Sequence, residues 1–337
     1  MTGLVIAVDA MGGDYGPRLV VSACVKSLVQ YPELHLVLVG DAPNIESILA
    51  QTPQANHARI SIKHASESIS MAENPAYALR HKLDSSMRIA LQMVRDQQVH
   101  ACVSAGNTGA LMALAKHVLN TLPYIDRPAI MTALPTLTGE THLLDLGANV
   151  DVSAQQLVQF AVMGSAAVQS RGLIRPRVAL LNVGREAIKG NQQVKLAAAE
   201  LEAMPQINYV GYVEGDGVFR GDADVVVCDG FVGNVLLKSS EGLAQLITAR
   251  TKQCLGRGVR AWLLAWLAAP LLKVLRSEIA PERYNGACLL GVDGIVVKSH
   301  GNASEEAFQA AISVAYTAAK EGLAQRLQER LQAFSQV

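Results

Sequence analysis

The sequence predicts an α/β protein with three layers (α/β/α), in which helices cover both faces of a mostly parallel sheet. Two observations predict this fold. Short aliphatic runs alternate along the 337 residues with longer amphipathic stretches, which is the strand–turn–helix order of parallel sheets. Hydrophobic residues make up 50% of the chain but aromatic residues only 4%, so the core must consist mainly of Ala, Val, Leu and Ile. Small aliphatic side chains suit strands that are buried on both faces.

Nine aliphatic runs are predicted to be strands, because each is short and most are followed by a turn rich in Gly, Asp or Asn. They are Leu4–Val8, Leu34–Val39, Ile60–His64, Ala101–Ser104, Ile130–Leu134, His142–Leu146, Val178–Val183, Val225–Cys228 and Ile295–Lys298.

Amphipathic stretches between these runs predict helices. They are Pro17–Gln30, Ser85–Asp96, Gly109–Asn120, Ser153–Ser170 and Val194–Met204, and a final helix is predicted from about Ser304 to Ala333. The chain shows no internal repeat and no linker. We therefore expect a single catalytic domain, 1–337, with a helical apolar excursion at about 243–282.

Composition argues against several classes of protein. Lys and Arg total 29 and so do Asp and Glu, so the basic excess typical of nucleic-acid binding is missing. The five cysteines are scattered without metal-ligand spacing, which is typical of buried thiols in a reducing compartment. The first residues enter a strand directly and lack the pattern of a signal peptide. These features predict a cytoplasmic protein.

One segment, 250–276, departs from the α/β pattern because its apolar run Ala261–Leu272 contains both tryptophans between basic flanks. Twelve apolar residues are too few to span a bilayer. One interpretation is a helix pair that packs in the core or at a dimer interface. The other is a tip that enters the membrane surface, with basic residues facing anionic head groups. The tip residues are Trp262, Leu263, Trp266 and Leu267.

Six polar turns, mostly at strand ends, are candidates for chemistry, since ligands bind at the carboxyl ends of strands in open parallel sheets. The first three turns bring small or hydroxyl side chains to helix starts, where backbone N–H groups bind anions or side chains merely cap helices. The first contains Asp9, Gly12, Gly13 and Asp14, the second Asn107 and Thr108, and the third Asn149.

The other three turns each offer one residue suited to a charged substrate. Lys189 comes before Gly190 and Asn191 at the start of a helix, Asn234 lies where a helix begins, and His300 precedes a glycine. Each also has a purely structural interpretation as a solvated charge, a cap or a packed imidazole. The sequence contains no GxSxG, P-loop or HExxH motif and no Cys–His pair, so no nucleophile for a covalent intermediate and no metal site is predicted.

The order of these turns resembles the PlsX phosphate acyltransferases. The chain contains DAMGGD, KLDSS, SAGNTGA, LDLGAN, VGREAIKGN, CDGFVGN and KSHGNAS in this order. The resemblance extends from Val8 to about Ala318, and seven ordered motifs are far more specific than any one of them. It implies a fold like that of the phosphotransacetylases and the isocitrate and isopropylmalate dehydrogenases.

The resemblance also implies a function. Such an enzyme converts acyl-[acyl carrier protein] and inorganic phosphate to acyl phosphate and free carrier, an early step of phospholipid synthesis. It implies a homodimer without a nucleotide cofactor that works at the inner face of the membrane and supplies a membrane-bound glycerol-3-phosphate acyltransferase.

The resemblance places Lys189 and Asn234 at the reacting centre, and we add His300 as a candidate for proton handling. Fixed hydrogen-bond donors and one cation are what the attack of phosphate on a thioester requires. The remaining motif residues are expected to contact the substrate. They are Asp9, Gly12, Gly13, Asp14, Ser85, Ser86, Asn107, Thr108, Asn149, Asn191 and Asp229.

Three alternatives stay open at this point. A phosphotransacetylase acting on a small acyl-CoA is the nearest. An NAD-dependent decarboxylating dehydrogenase of the same fold group would need a set of metal-binding aspartates, and the sequence shows no such set. A non-catalytic, membrane-associated scaffold would not need the Lys189 and Asn234 motifs.

Overall fold

The computed structural model describes residues 3–52, 57–254 and 281–334. The strands in these ranges are β1 (Leu4–Asp9), β2 (Leu34–Gly40), β3 (Ile60–His64), β4 (Ala101–Ser104), β5 (Ala129–Thr136), β6 (Gly139–Leu144), β7 (Arg177–Leu181), β8 (Asn208–Val213), β9 (Val225–Val227), β10 (Ala287–Leu290) and β11 (Val296–Lys298). The helices are α1 (Gly16–Gln30), α2 (Ala42–Ala50), α3 (Pro75–His81), α4 (Ser86–Arg95), α5 (Thr108–Leu119), α6 (Ala154–Ser170), α7 (Gln192–Glu202), α8 (Gly215–Arg220), α9 (Gly230–Cys254), α10 (Glu305–Lys320) and α11 (Leu323–Phe334).

All of these strands join one sheet in the order β3-β2-β1-β4-β11-β10-β5-β6-β9-β7-β8. Seven of the ten pairings are parallel, and the three antiparallel ones are β11–β10, β10–β5 and β5–β6. After these reversals β6, β9, β7 and β8 run opposite to β1 to β4 and β11. The carboxyl ends of the two groups therefore lie at opposite edges of the sheet, and the six polar turns do not form a single ring.

Helices cover both faces of the sheet, which confirms the predicted three-layer α/β fold. Successive residues of a strand point to opposite faces. In β1, Ile6 and Val8 belong to a core with Phe160 of α6 and Phe308 of α10. The intervening residue, Ala7, belongs to a second core with side chains of α4 and α5.

The nine predicted strands all occur, but two further strands were missed. Strand β8 lies at the end of the sheet and contains Gly211, so its side chains are only partly buried and its apolar pattern is weak. Strand β10 has four residues and is too short for periodicity to identify. These strands depend on neighbours that sequence pattern does not reveal.

The predicted helices also need correction at the end of the chain. The single helix expected at 304–333 is two helices, because Gly322 adopts a left-handed backbone with φ +66° between α10 and α11. Helices α2, α3, α8 and α9 were not predicted as such. The longest is α9, with 25 residues, and it includes the first part of the predicted excursion. Among the residues described, no helix is long and apolar enough to cross a membrane.

Candidate functional site

A cavity of about 670 Å³ lies between one face of β5 and α9. Alternate β5 residues, among them Ile130, Thr132 and Leu134, form one wall. The helix contributes residues three, four and seven positions apart, beginning at Asn234, which is the spacing of one helix face. Further apolar side chains line the cavity, namely Pro135, Leu137, Leu146, Phe219 and Leu237. The cavity is large and apolar enough to hold a hydrocarbon chain.

Four ionisable side chains also line this cavity: Lys238 and Glu241 from α9, and Lys298 and His300 from the end of β11. The Glu241 carboxylate lies 2.8 Å from Lys238 Nζ and 3.3 Å from His300 Nε2. Burial alone would raise the pKa of Glu241, but His300 and Lys238 together lower it to about 2. Glu241 is therefore ionised at neutral pH and orients both neighbours.

Lys298 differs from the other lysines of the described ranges because its ammonium is largely withdrawn from solvent. It donates to the backbone oxygens of Ala105 and Ser299 and has no ion-pair partner among the residues described. Burial lowers its pKa to about 8, and the nearby Lys238 also lowers it, while Asp9 and Asp14 oppose the shift. An incompletely solvated ammonium of this kind is a strong site for an anion.

The turn that carries Lys298 and His300 is fixed by the buried Asn285. Its Oδ1 accepts from the His300 backbone N–H at 3.0 Å, and its Nδ2 donates to Ser299 Oγ at 2.8 Å and to the Ala307 carbonyl at 2.7 Å. All three polar positions of the amide are thereby satisfied. The backbone around His300 is held before any substrate binds.

Asn234 enters the cavity from the opposite edge of the sheet, on the first turns of α9. The Gly230 N–H donates to the Asn149 carbonyl at 2.7 Å, which docks the helix start on the turn after β6. A Cβ at Gly233 would lie 1.9 Å from the Asp145 backbone oxygen, so only glycine permits this approach. Asn234 then lies beside Gly147, and both residues line the cavity.

Asn149 itself has a structural position. Its Nδ2 donates to the Pro128 carbonyl at 2.8 Å and to Asp145 Oδ2 at 3.0 Å, and the residue is buried. Asp229 accepts from the Val232 N–H at 2.8 Å at the start of α9. Both side chains hold the Asn234 turn in place.

The turns after β1 and β4 meet around the buried Asp9. Its carboxylate accepts from Ser86 Oγ and Ser104 Oγ, each at 2.6 Å. Burial raises the pKa of Asp9 above its usual range, although the two hydroxyls partly offset this. Gly12 is needed here, because a Cβ would lie 2.7 Å from the Gly106 nitrogen.

The remaining predicted contacts in this part of the chain mostly join turns or cap helices. The Asp14 N–H donates to the Gly301 carbonyl at 2.8 Å, and Gly13 packs against the same oxygen. Ser85 Oγ donates to the Lys82 carbonyl. Asn107 caps α5 through Oδ1, and its Nδ2 donates to the Met71 and Glu73 carbonyls. Thr108, by contrast, lines the cavity.

Lys189 lies in a separate environment, on the turn after β7. Its side chain is 47% exposed and forms an ion pair of 2.9 Å with Glu186, three residues earlier. It is not among the residues that line the cavity. Asn191, two residues later, caps α7 by accepting from the Val194 N–H at 2.9 Å.

The structure thus brings three of the predicted residues, Thr108, Asn234 and His300, into one cavity. Sequence reasoning missed Lys298, although it lies in the KSHGNAS motif two residues before His300. It also missed Lys238 and Glu241, which follow Asn234 by four and seven residues. Helical spacing from Asn234 was the signal that could have found them.

The predicted tip residues Trp262, Leu263, Trp266 and Leu267 lie outside the described residues. Within the part of the chain that the structure describes, no group of three or more His, Cys, Asp or Glu side chains is arranged to hold a metal ion.

Fold and cavity together define a class of protein, an α/β protein whose apolar cavity carries fixed cations for a ligand that is part hydrocarbon and part anion. Comparison with known proteins narrows this class. The family described as "Fatty acid synthesis protein" matches residues 4–326. A "Phosphate acyltransferase" of Ectopseudomonas mendocina is 58% identical over 332 residues, covering 98% of this chain and 99% of that protein. A protein of the same name from Pseudomonas aeruginosa is 57% identical with the same coverage.

Solved structures show the same fold at low sequence identity. A phosphotransacetylase from Streptococcus pyogenes superposes with a TM-score of 0.64 at 16% identity, covering 94% of each chain. A 4-hydroxythreonine-4-phosphate dehydrogenase from Klebsiella pneumoniae gives 0.58 at 15% identity, covering 95% of this chain and all of that one. These similarities confirm the predicted phosphotransacetylase-like and dehydrogenase-like fold.

The chain belongs to the phosphate acyltransferase family of fatty acid and phospholipid synthesis. It is an acyltransferase enzyme, as the motif order predicts. Phosphotransacetylase action on a small acyl-CoA is not favoured by these comparisons.

Proposed function

We propose that this enzyme transfers a fatty acyl group from acyl-[acyl carrier protein] to inorganic phosphate and needs no cofactor. The observation that carries the proposal is one cavity with a long apolar wall and two lysines, Lys238 and Lys298, beside His300. The apolar wall suits the acyl chain and the cations suit phosphate. Each buried methylene contributes about 0.8 kcal/mol, so such a wall favours long chains over acetyl.

The proposed reaction needs no acyl-enzyme. A phosphate oxygen attacks the thioester carbonyl carbon, the new C–O bond forms, the C–S bond breaks, and the carrier sulfur leaves as a thiolate that takes up a proton. Lys298 is our candidate for donating that proton. Its pKa of about 8 is close to the ordinary thiol pKa of about 8.5, so the transfer of the proton to the thiolate is nearly balanced. Proton supply by His300 is the second candidate.

Cysteine chemistry of the described residues supports direct transfer. Cys24, Cys102, Cys228 and Cys288 are all buried, and burial raises the pKa of each thiol. A protonated, inaccessible thiol is a poor nucleophile. We therefore assign the attack to phosphate itself.

Phosphate and the developing oxyanion need donors, and we propose that Asn234 and Lys189 bind one or the other of these groups. Asn234 already lines the cavity. Lys189 must first exchange Glu186 for the substrate. An exposed ion pair contributes at most about 1 kcal/mol, so a doubly charged phosphate can compete with the Glu186 carboxylate.

The remaining motif residues keep their proposed role in substrate binding, with Thr108 as the one that lines the cavity. Gly12, Gly13 and the Ser85–Ser86 pair contribute through the shape of the turns around Asp9. Backbone N–H groups at such turns bind phosphate oxygens.

The direct test is phosphate-dependent release of free carrier thiol from hexadecanoyl-[acyl carrier protein], with acyl phosphate identified by mass spectrometry. We expect hexadecanoyl carrier to react far faster than acetyl-CoA. Faster reaction of acetyl-CoA would contradict the proposal and favour the phosphotransacetylase alternative. Absence of acyl phosphate with both donors would favour the scaffold.

A pair of variants connects this activity to the cavity. Leu237→Trp fills the apolar wall and should lower turnover of the hexadecanoyl carrier more than that of a butanoyl carrier. Val29→Trp, on α1, is the control, because Val29 is 76% exposed and outside the cavity, and it should leave both unchanged. Equal losses for both chain lengths would move the acyl site elsewhere.

We further propose a homodimer and peripheral contact with the inner face of the membrane. The exposed side chains Leu243, Leu246 and Ile247 extend the apolar character of α9 towards the predicted tip. Analytical ultracentrifugation tests the dimer. Replacing Trp262 and Leu263 by Asp should release the enzyme from anionic vesicles without loss of activity on soluble substrate, whereas loss of the dimer would assign the tip to the subunit interface.

In the cell the unstable acyl phosphate must be consumed at once, and we propose the membrane glycerol-3-phosphate acyltransferase as the consumer. This places the enzyme in the cytoplasm at the membrane surface. Co-sedimentation with membranes that contain or lack that acyltransferase tests the proposal.

A further inference from the structure

A second, smaller cavity lies on the other face of β5. Its volume is about 120 Å³, and it is lined by Met131 and Ala133, which alternate with the β5 residues of the main cavity. His142 and Glu140 of β6 and Arg171 at the end of α6 complete its polar wall. An inference about this smaller cavity does not depend on the proposed function, because none of these polar side chains lines the main cavity.

His142 carries the observation that points to a ligand. Only 6% of the residue is exposed, and its Nδ1 has no hydrogen-bond partner among the residues described. Its other ring nitrogen, Nε2, lies 2.9 Å from Arg171 Nη1. A guanidinium only donates, so Nε2 accepts and the proton of a neutral imidazole must be on Nδ1.

The imidazole is neutral at physiological pH. Burial is the main cause that lowers the pKa of His142 and the adjacent Arg171 adds to it, while the backbone carbonyl and the carboxylate of Asp224 oppose the shift; the result is about 4. Nδ1–H is therefore a buried donor: the Asp224 backbone carbonyl acts on the ring, but no acceptor among the described residues meets hydrogen-bond geometry with Nδ1. Buried donors in folded proteins are almost always paired, so this one calls for an acceptor from outside the chain.

We infer that this cavity is a binding site for a small oxyanion, either a carboxylate or phosphate. The ligand would accept from His142 Nδ1–H and pair with the Arg171 guanidinium, whose planar fork suits two oxygens. Glu140 lines the same cavity and repels negative charge, so a singly charged anion is favoured over a doubly charged one. The cavity volume admits one such ion and little more.

Three residues connect the site to the main cavity. Thr132, Tyr284 and Gly286 line both, and Thr132 Oγ1 donates to the Tyr284 carbonyl at 3.2 Å. This contact separates the two cavities. An anion bound at His142 would therefore press on the wall of the main cavity without entering it.

The test uses the full-length enzyme with its histidines labelled with ¹⁵N, titrated separately with inorganic phosphate and with acetate. The resonance of His142 reports on the ring at this site, and the Arg171→Gln variant separates anion binding here from phosphate binding in the main cavity. We expect an Nδ1–H tautomer, and we expect a saturable shift of this resonance with at least one of the two anions. A shift with one anion only would identify which of the two is the ligand.

Three exposed-site variants sharpen the test. Arg171→Gln should weaken anion binding about tenfold to a hundredfold, as expected for loss of a charged hydrogen bond. Glu140→Gln should strengthen it about threefold by removing a like charge. Arg175→Gln, also exposed and outside the cavity, is the matched control and should change nothing.

Three outcomes of the titrations would overturn the inference. They are a proton on Nε2 instead of Nδ1, no response of His142 to either anion, and equal responses in wild type and Arg171→Gln. Crystals grown with phosphate and with acetate that show only water beside Nδ1 would also overturn it, since the site would then be a hydrated cavity.

Discussion

The regions around Lys298 and Lys189 show two ways in which one sheet presents a lysine. Lys298 ends β11, is partly buried in the main cavity and has no carboxylate partner among the described residues. Lys189 lies on the turn after β7, at the opposite edge, half exposed and paired with Glu186. Burial lowers the pKa of Lys298, so its charge depends on pH near neutrality, whereas the Lys189 charge is neutralised by its neighbour.

This difference suggests that the sequence motif marks a lysine that acts once substrate is bound, whereas the geometry marks a lysine that is already in position before binding. The motif order singles out Lys189, while the geometry singles out Lys298. Catalytic contacts are often formed only when substrate binds, so the exposed position of Lys189 does not exclude it. The following predictions test whether both lysines act, and which acts more strongly.

The largest effect is expected for Lys298→Met, which keeps the volume of the side chain but removes the ammonium. Turnover should fall on the order of 10²–10³, the scale of losing one fixed donor to a developing charge. Circular dichroism and thermal unfolding check the fold. Lys195→Met, on the exposed face of α7, is the control. Turnover within twofold of wild type would remove Lys298 from the mechanism.

A loss of about 10² in turnover is expected for Lys189→Ala, by the same reasoning. Its companion is Glu186→Gln, which releases Lys189 and should lower the KM for phosphate about twofold to threefold, because the competing exposed pair is weak. If Lys189→Ala leaves turnover intact while Lys298→Met abolishes it, Lys189 is structural and Lys298 alone of the two lysines acts in catalysis.

Dependence on pH sharpens the contrast further. The folded pKa of Lys298, about 8, lies below the ordinary value of 10.5, so its ammonium is lost as pH rises through about 8. Turnover should decline there by up to about tenfold per pH unit. Between those two pH values the unfolded chain binds more protons, so the free energy of unfolding should rise with pH while turnover falls.

Lys298→Arg is the control for this pH dependence, because a guanidinium stays charged throughout. The decline of turnover near pH 8 and the rise of stability above it should both disappear. An unchanged alkaline limb in this variant would assign the titration to another group.

The smallest effect concerns Asn191, which caps α7 through Oδ1 and leaves Nδ2 to donate to a substrate. Asn191→Asp keeps the cap and should leave stability unchanged but lower turnover a few-fold. Asn191→Ala should lower the free energy of unfolding by about 1 kcal/mol as well. Unchanged turnover in the Asp variant would limit Asn191 to capping.

Much of the fold could be predicted because strands such as β1 and β4 are buried on both faces and read as continuous aliphatic runs. The reversal at β5 and β6 was missed, because the predicted runs ended at Leu134 and began again at His142 and so hid the two-residue hairpin connection between the strands. The polar turns, which the sequence places mostly at strand ends, are therefore divided between two edges of the sheet.

For the site, local motifs identified Asn234 and His300 but not what lies between them. Lys238 and Glu241 become neighbours of His300 only because α9 crosses the face of β5, a tertiary event without a sequence signature. The burial of Lys298 likewise depends on Ala105 and Ser299 around it. Sequence showed which side chains have suitable chemistry, and packing decided which of them meet.

Because Asn234 and Glu241 lie on the same uninterrupted helix, α9, the distance between them is fixed. Seven residues at 1.5 Å each set their separation at about 10 Å along the axis. Loops adjust to a misplaced ligand, but this length is fixed by backbone hydrogen bonding. A substrate that contacts both side chains must therefore match this distance. One residue inserted or deleted between positions 234 and 241 would rotate the Glu241 side chain about the helix axis, so that it no longer lies on the same face as Asn234.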